Sequence, residues 1–70
     1  MLKVSNKDIE FLNQIIPNLQ TMIEKDDLRG LLIALNNVIL EEGFAPPDYL
    51  DYNDFGRKAQ HVYDRLYDDN

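Results

Sequence analysis

The most constraining feature of the sequence is its most apolar stretch, DLRGLLIALNNVILEEG, which runs from Asp27 to Gly43. At the helical spacing of about 100° per residue, its leucines recur at the intervals typical of a helix that packs against a core. Asp26 or Asp27 supplies a carboxylate to cap the first turn, and Gly43 is predicted to end the helix in a left-handed conformation. The stretch therefore predicts a helix over 27–42 against which the rest of the chain packs.

The same stretch carries a second apolar face. Ile33 and Leu40 are seven residues apart and fall nearly opposite the leucine face. One interpretation is that this helix lies between two others and is buried from both sides. The alternative is that Ile33 and Leu40 form the face of a homo-oligomer or of a partner complex, because exposed apolar patches mark interaction sites.

A first helix is predicted near residues 6–25. Ser5 is its expected N-cap, with Asp8 three residues later as in a capping box. Pro17 interrupts this helix, although the apolar pattern continues across it. Because proline lacks a backbone N–H, the helix either kinks there or splits, with Pro17 at the first position of a second piece.

A last helix is predicted near 52–67, with Asp51 as its cap. Gly56 lies in its first turns, where the missing side chain allows another helix to approach closely. The sequence thus predicts an all-α fold, a single domain over residues 1–70 with a compact three-helix arrangement and a first helix kinked or split at Pro17. The predicted core residues are Ile9, Leu12, Ile16, Leu19, Ile23, Leu28, Leu32, Leu35, Val38, Ile39, Phe44, Phe55, Ala59, Val62 and Leu66.

Size and composition limit how this chain can be stabilised and in which compartment the protein is expected. A chain of 70 residues without cysteine has no disulfide and no thiolate metal site, so its stability depends on helix packing or on association. No apolar run is long enough to span a membrane, and no secretory signal is evident. These features predict a protein of a reducing cytoplasm with no membrane partner.

The net charge of −6 is unevenly distributed. Residues 1–40 carry four basic and five acidic side chains, whereas residues 41–70 carry three basic and eight acidic ones. Direct binding to nucleic acid is disfavoured, because it requires a basic surface. An acidic DNA mimic, in which carboxylates take the place of phosphates before a DNA-binding protein, is an alternative function.

No catalytic, cofactor-binding or metal-binding motif is found in the sequence. His61 is the only histidine, and its neighbours on the predicted helix are Lys58 and Arg65. A histidine between two cations is a poor metal ligand and a poor general base. We therefore expect no cofactor and no enzymatic activity.

The tyrosines indicate a protein-binding surface. Tyr63 and Tyr67 are one turn apart on the flank of the last helix, and acidic residues alternate with the tyrosines. Tyrosine is favoured in interfaces because it adds contact area and a hydrogen-bonding hydroxyl group. The alternative is that the rings seal the edge of a small core with their hydroxyls in water. The predicted partner-binding residues are Tyr49, Tyr52, Tyr63, Tyr67, Asp64 and Asp68.

The end of the chain also carries a resemblance. Glu42-Gly43-Phe44 and the segment DFGRKAQHVYD, from Asp54 to Asp64, resemble the endings of small accessory proteins of phages and prophages of Gram-positive bacteria. The resemblance covers about the last 30 residues. It implies a bacterial cytoplasm and an accessory role in binding a host or phage protein, and it supplies no catalytic residues.

Together these observations predict a small acidic, non-enzymatic module that binds a protein partner. We expect this module to be a phage or prophage factor that modulates a host protein. The alternatives are a homo-oligomeric structural protein assembled through Ile33 and Leu40, and the acidic DNA mimic.

Overall fold

The computed structural model describes residues 1–46, 48 and 50–70, and most of these residues are helical. The described helices are α1 Asn6–Asn13, α2 Leu19–Glu24, α3 Leu28–Glu42 and α4 Asp54–Asp69. The strand-like pairing within this part of the chain is one isolated antiparallel bridge between Phe44 and Tyr52. The all-α prediction is confirmed, and the described residues form four helices where the sequence predicts three with the first kinked or split.

Residues 14–18, which include Pro17, separate α1 from α2. The start of α1 is as predicted, because the Ser5 hydroxyl accepts a hydrogen bond from the backbone N–H of Asp8 at 3.2 Å. Pro17 has no N–H with which to continue a helical ladder. Asn18 then takes a left-handed φ of 63° and is the residue that directly precedes α2. The expectation that Pro17 occupies the first helical position is therefore wrong.

The core is centred on α3, which packs mainly against α4 and also against α2. Nine of the predicted core residues are buried, and the other six are partly buried and pack against them. Leu31, which the predicted core omits, is fully buried as well. The nine are Leu12, Ile16, Leu19, Ile23, Leu35, Ile39, Ala59, Val62 and Leu66.

Gly43 and Gly56 bring the end of α3 against the start of α4. A Cβ atom on Gly56 would lie 2.8 Å from the carbonyl carbon and 2.9 Å from the Cα of Gly43, and closer still to the carbonyl oxygen. Gly43 has a φ of −94°, so the left-handed conformation expected for it is wrong, and the close contact explains the glycines instead. The start of α3 and the end of α4 also line one pocket, so the two helices are antiparallel.

Asn53 fixes the entry into α4. Its side-chain oxygen accepts a hydrogen bond from the N–H of Gly56 at 2.7 Å, and its amide nitrogen donates to the carbonyl oxygen of Glu42 at 2.8 Å. An aspartate can accept the first bond but cannot donate the second. Since Asn53 is the N-cap, the cap predicted at Asp51 is wrong, and α4 begins at Asp54 rather than near 52.

Candidate functional site

A groove of about 770 Å³ lies between the first half of α3 and the second half of α4, and we term it the α3/α4 groove. On α3, helical spacing places Leu28 and Leu32 between the core and the groove, with Ile33 turned further outward. The groove is lined by Leu28, Arg29, Leu32, Ile33, Asn36, Tyr63, Tyr67 and Asn70.

The groove brings together residues that the sequence assigns to two separate sites. Ile33 is 53% exposed and Tyr67 is 67% exposed, whereas Tyr63 is half-buried and packs against the core. The Tyr63 ring packs against the edge of the core, as one of the two sequence-based interpretations expects, and it also lines the groove. The antiparallel pairing of α3 and α4 places the tyrosines beside Ile33, and no local sequence signal reports this pairing.

Leu40 lies outside the groove, on the same side of α3 as Ile33 and two turns further along. It is 62% exposed. Since Ile33 and Leu40 are both more than half exposed, the interpretation that α3 is buried from both sides is wrong. Self-association through these two residues remains a hypothesis.

Tyr52 contacts the connection between the helices rather than the groove. Its ring stacks on Phe44, with centroids 5.0 Å apart, and its hydroxyl donates to the side-chain oxygen of Gln60 at 3.4 Å. The amide nitrogen of Gln60 in turn donates to Asp64 at 3.1 Å. The structure therefore separates Tyr52 from Tyr63 and Tyr67, and Tyr49 lies outside the described residues.

The groove is mainly apolar, with polar groups at its sides. Asp64 and Asp68 are exposed on α4 but do not line it, so the structure does not bring these two predicted residues into the site. Arg29 is the charged residue in the lining, and Asn36 and Asn70 add amide groups. This arrangement can bury apolar side chains and offer hydrogen bonds at the groove edge.

On the opposite flank of α4, charged side chains contact α1, and the sequence pattern did not predict these contacts. The Arg65 guanidinium donates two hydrogen bonds to the Asp8 carboxylate, from Nε at 3.0 Å and from Nη2 at 2.8 Å. The Lys58 ammonium lies 5.0 Å from the centroid of the Phe11 ring. Nothing in the local pattern around Asp8 signals a partner 57 residues away.

Asp8 is the one charged side chain that is buried among the described residues, with 6% exposure. Hydrogen bonds from Arg65 lower the pKa of its carboxyl group; burial opposes this effect, and the positive charges of Arg65 and Lys58 add to it. The hydrogen bonds to Asp8 also raise the pKa of Arg65. With both of its oxygens bonded to Arg65 and its pKa lowered, the Asp8 carboxylate is a poor general base.

Residues 1–46, 48 and 50–70 include neither a cluster of metal-ligating side chains nor a helix suited to crossing a membrane. No three acidic or histidine side chains of this region come close enough to hold a metal ion. No helix within it is both long and apolar enough to cross a membrane. His61 is exposed on α4.

Of the features described, the α3/α4 groove collects the largest number of predicted site residues. The chain matches no protein-family model, no curated protein and no solved structure.

Proposed function

We propose that the chain is a small, acidic, non-enzymatic protein-binding module whose α3/α4 groove binds apolar side chains of a protein partner. The observation that carries the proposal is the exposure of Ile33 and Tyr67, 53% and 67%, at one groove. Removal of such apolar surface from water by a partner is favourable. The exposed side chains therefore supply a driving force for association.

The shape and lining of the groove support a partner segment with apolar anchors. Leu28 and Leu32 are partly buried and form an aliphatic floor. Tyr63 and Tyr67 add aromatic area and hydroxyl groups at a low cost in side-chain entropy. An amphipathic helix that inserts its apolar face between two helices uses a groove of this kind.

The charge of the chain indicates the chemistry of the partner. At a net charge of −6, the protein attracts basic molecules and repels acidic ones. Complementary charge increases the association rate and selects against the wrong partners. We extend the proposal to an accessory factor of a phage or prophage that modulates a bacterial protein, and this extension rests only on the resemblance of the C-terminal segment.

The proposal is tested by capture of a partner from bacterial lysate with a tagged chain, followed by titration with the purified partner. The double variant Ile33→Ala, Tyr67→Ala should weaken binding at least about tenfold, because a few anchor residues dominate most interfaces. A Leu50→Ala control removes an apolar side chain that is 80% exposed and outside the groove, and it should bind like the wild type. Equal affinities of the double variant and the wild type contradict the proposal.

A homo-oligomer is the second candidate, and the exposure of Ile33 and Leu40, 53% and 62%, favours it. A second copy of the chain would bury both residues, although the charge of −6 on each copy opposes association. Light scattering at high protein concentration tests this candidate. A mass above that of the monomer that falls in Ile33→Asp supports an oligomer, whereas a monomeric mass of the wild-type protein contradicts it.

A further inference from the structure

A second pocket, of about 440 Å³, lies toward the end of α3, where α3 meets α4 and the residues that follow α1. Its walls are the side chains of Ile15, Val38 and Phe55, and Glu41 and Glu42 complete the lining. We term it the glutamate pocket. It shares no lining residue with the α3/α4 groove, so the two sites can be altered independently.

The apolar walls of the glutamate pocket are fixed by the core. Ile15, Val38 and Phe55 are each partly buried and pack against buried residues. Phe55 also contacts Phe11, with ring centroids 5.7 Å apart and planes inclined by 38°. The pocket therefore offers a preformed surface on which an aliphatic chain can be buried.

The edge of the pocket is negatively charged. Glu41 and Glu42 are the last two residues of α3, and both are exposed. The C-terminal end of a helix carries a partial negative charge, so acidic side chains at this end slightly destabilise the helix. A cation bound between them would remove this unfavourable interaction.

No cation of the described chain occupies this position. The ion pairs found among the described residues involve the carboxylates of Asp8, Asp26 and Asp54, not those of the two glutamates. Lys58 is one turn along α4 from Phe55, but its ammonium lies over the Phe11 ring. The lining is therefore entirely apolar or acidic, which complements a side chain with an aliphatic stem and a cationic end.

We propose that the glutamate pocket binds a lysine or arginine side chain of a protein partner. The methylene stem packs against Ile15, Val38 and Phe55, and the cationic group forms hydrogen bonds with Glu41 and Glu42. The inference rests on the proposed function for the identity of the molecule that supplies this side chain. It adds a basic residue to the apolar anchors that the α3/α4 groove requires of the partner.

The test uses n-butylguanidinium, which has both an aliphatic stem and a cationic end, as a probe of the full chain. Nuclear magnetic resonance titration should give saturable shifts of the Ile15 and Val38 methyl signals. The variant Glu41→Gln, Glu42→Gln should weaken probe binding about three- to tenfold, because each exposed ion pair contributes little. The control Glu10→Gln, Glu24→Gln removes the same charge from α1 and α2 and should bind the probe like the wild type.

Two further probes separate the contributions of stem and charge. Guanidinium alone and n-butanol alone should each bind more weakly than n-butylguanidinium. Equal affinities of the two double variants, or equal shifts with n-butanol, would overturn the proposal. The Ile33→Ala, Tyr67→Ala variant should bind n-butylguanidinium like the wild type. Binding at the glutamate pocket is therefore tested separately from binding of a partner at the α3/α4 groove.

Discussion

The two flanks of α4 contact their neighbouring helices in opposite ways. On the flank that faces α1, Arg65 forms two hydrogen bonds with the buried carboxylate of Asp8. On the flank that faces α3, Tyr63 and Tyr67 line an open groove, and Tyr67 is 67% exposed. The flank that faces α1, the closed flank, is therefore satisfied within the chain, whereas the flank that faces α3, the open flank, leaves apolar surface for another molecule.

The largest loss of stability is expected from a change at the contact between the end of α3 and the start of α4. Gly56→Ala should lower the free energy of unfolding by about 3 kcal/mol, because the new Cβ would overlap the Gly43 backbone and force α3 away from α4. Thermal denaturation measures the loss. The control Gly30→Ala places its Cβ against the Asp27 side chain, which can rotate away, so about 1 kcal/mol is expected. Equal losses in the two variants would contradict a backbone contact.

Substitution at the closed flank should give the next largest loss in the free energy of unfolding. Asp8→Asn removes the charge that accepts both hydrogen bonds from Arg65, and we expect a loss of about 2 kcal/mol in chemical denaturation. The control Asp64→Asn changes an exposed carboxylate that accepts a hydrogen bond from Gln60 and should alter stability by less than about 0.5 kcal/mol. If both variants unfold alike, the Asp8–Arg65 pair does not distinguish the two flanks.

Low pH should remove the stability that the Asp8–Arg65 ion pair contributes at the closed flank. The pKa of Asp8 in the folded chain is below its ordinary value of 3.8, so the ion pair contributes stability above that value and loses it as pH falls through the lower folded pKa. The difference in unfolding free energy between the wild type and Asp8→Asn should be constant between about pH 5 and 7 and shrink below about pH 4. Urea denaturation at a series of pH values measures it, and a difference unchanged in acid would argue against the lowered pKa.

The smallest effect on stability is expected at the open flank. Ile33→Ala combined with Tyr67→Ala should change the free energy of unfolding by less than about 0.5 kcal/mol, because both side chains are more than half exposed. Circular dichroism during thermal denaturation tests this expectation on the same variant that should lose partner binding. A loss as large as that of Asp8→Asn would show that the groove residues are part of the core and that the two flanks of α4 do not differ in this way.

Much of the fold could be predicted from local sequence patterns. The bounds of α3 and most of the core follow from apolar periodicity, and the Ser5 cap follows from its position before α1. The start of α4 could not be predicted in this way. Asn53 caps it because the carbonyl of Glu42 lies within reach of its amide, and that proximity exists only after α3 and α4 have packed together.

The candidate site could be predicted only in parts. Residue chemistry indicates Tyr63, Tyr67 and Ile33 as surface contacts, but the pairing of α3 with α4 determines that they line one groove. Asp8 is likewise only partly predictable. Its local pattern indicates a helix cap, but its ion-pair partner Arg65 is on another helix. Contacts between residues far apart in the chain leave no periodic signal.

The separation of 57 residues between Asp8 and Arg65 has a consequence for the order in which the chain assembles. Closing so long a loop costs more chain entropy than joining α3 to α4 across their short connection. We therefore expect α3 and α4 to associate early and α1 to dock last, when Arg65 is already held in a helix. In hydrogen exchange, the amides of α1 should open by local unfolding while those of α3 stay protected.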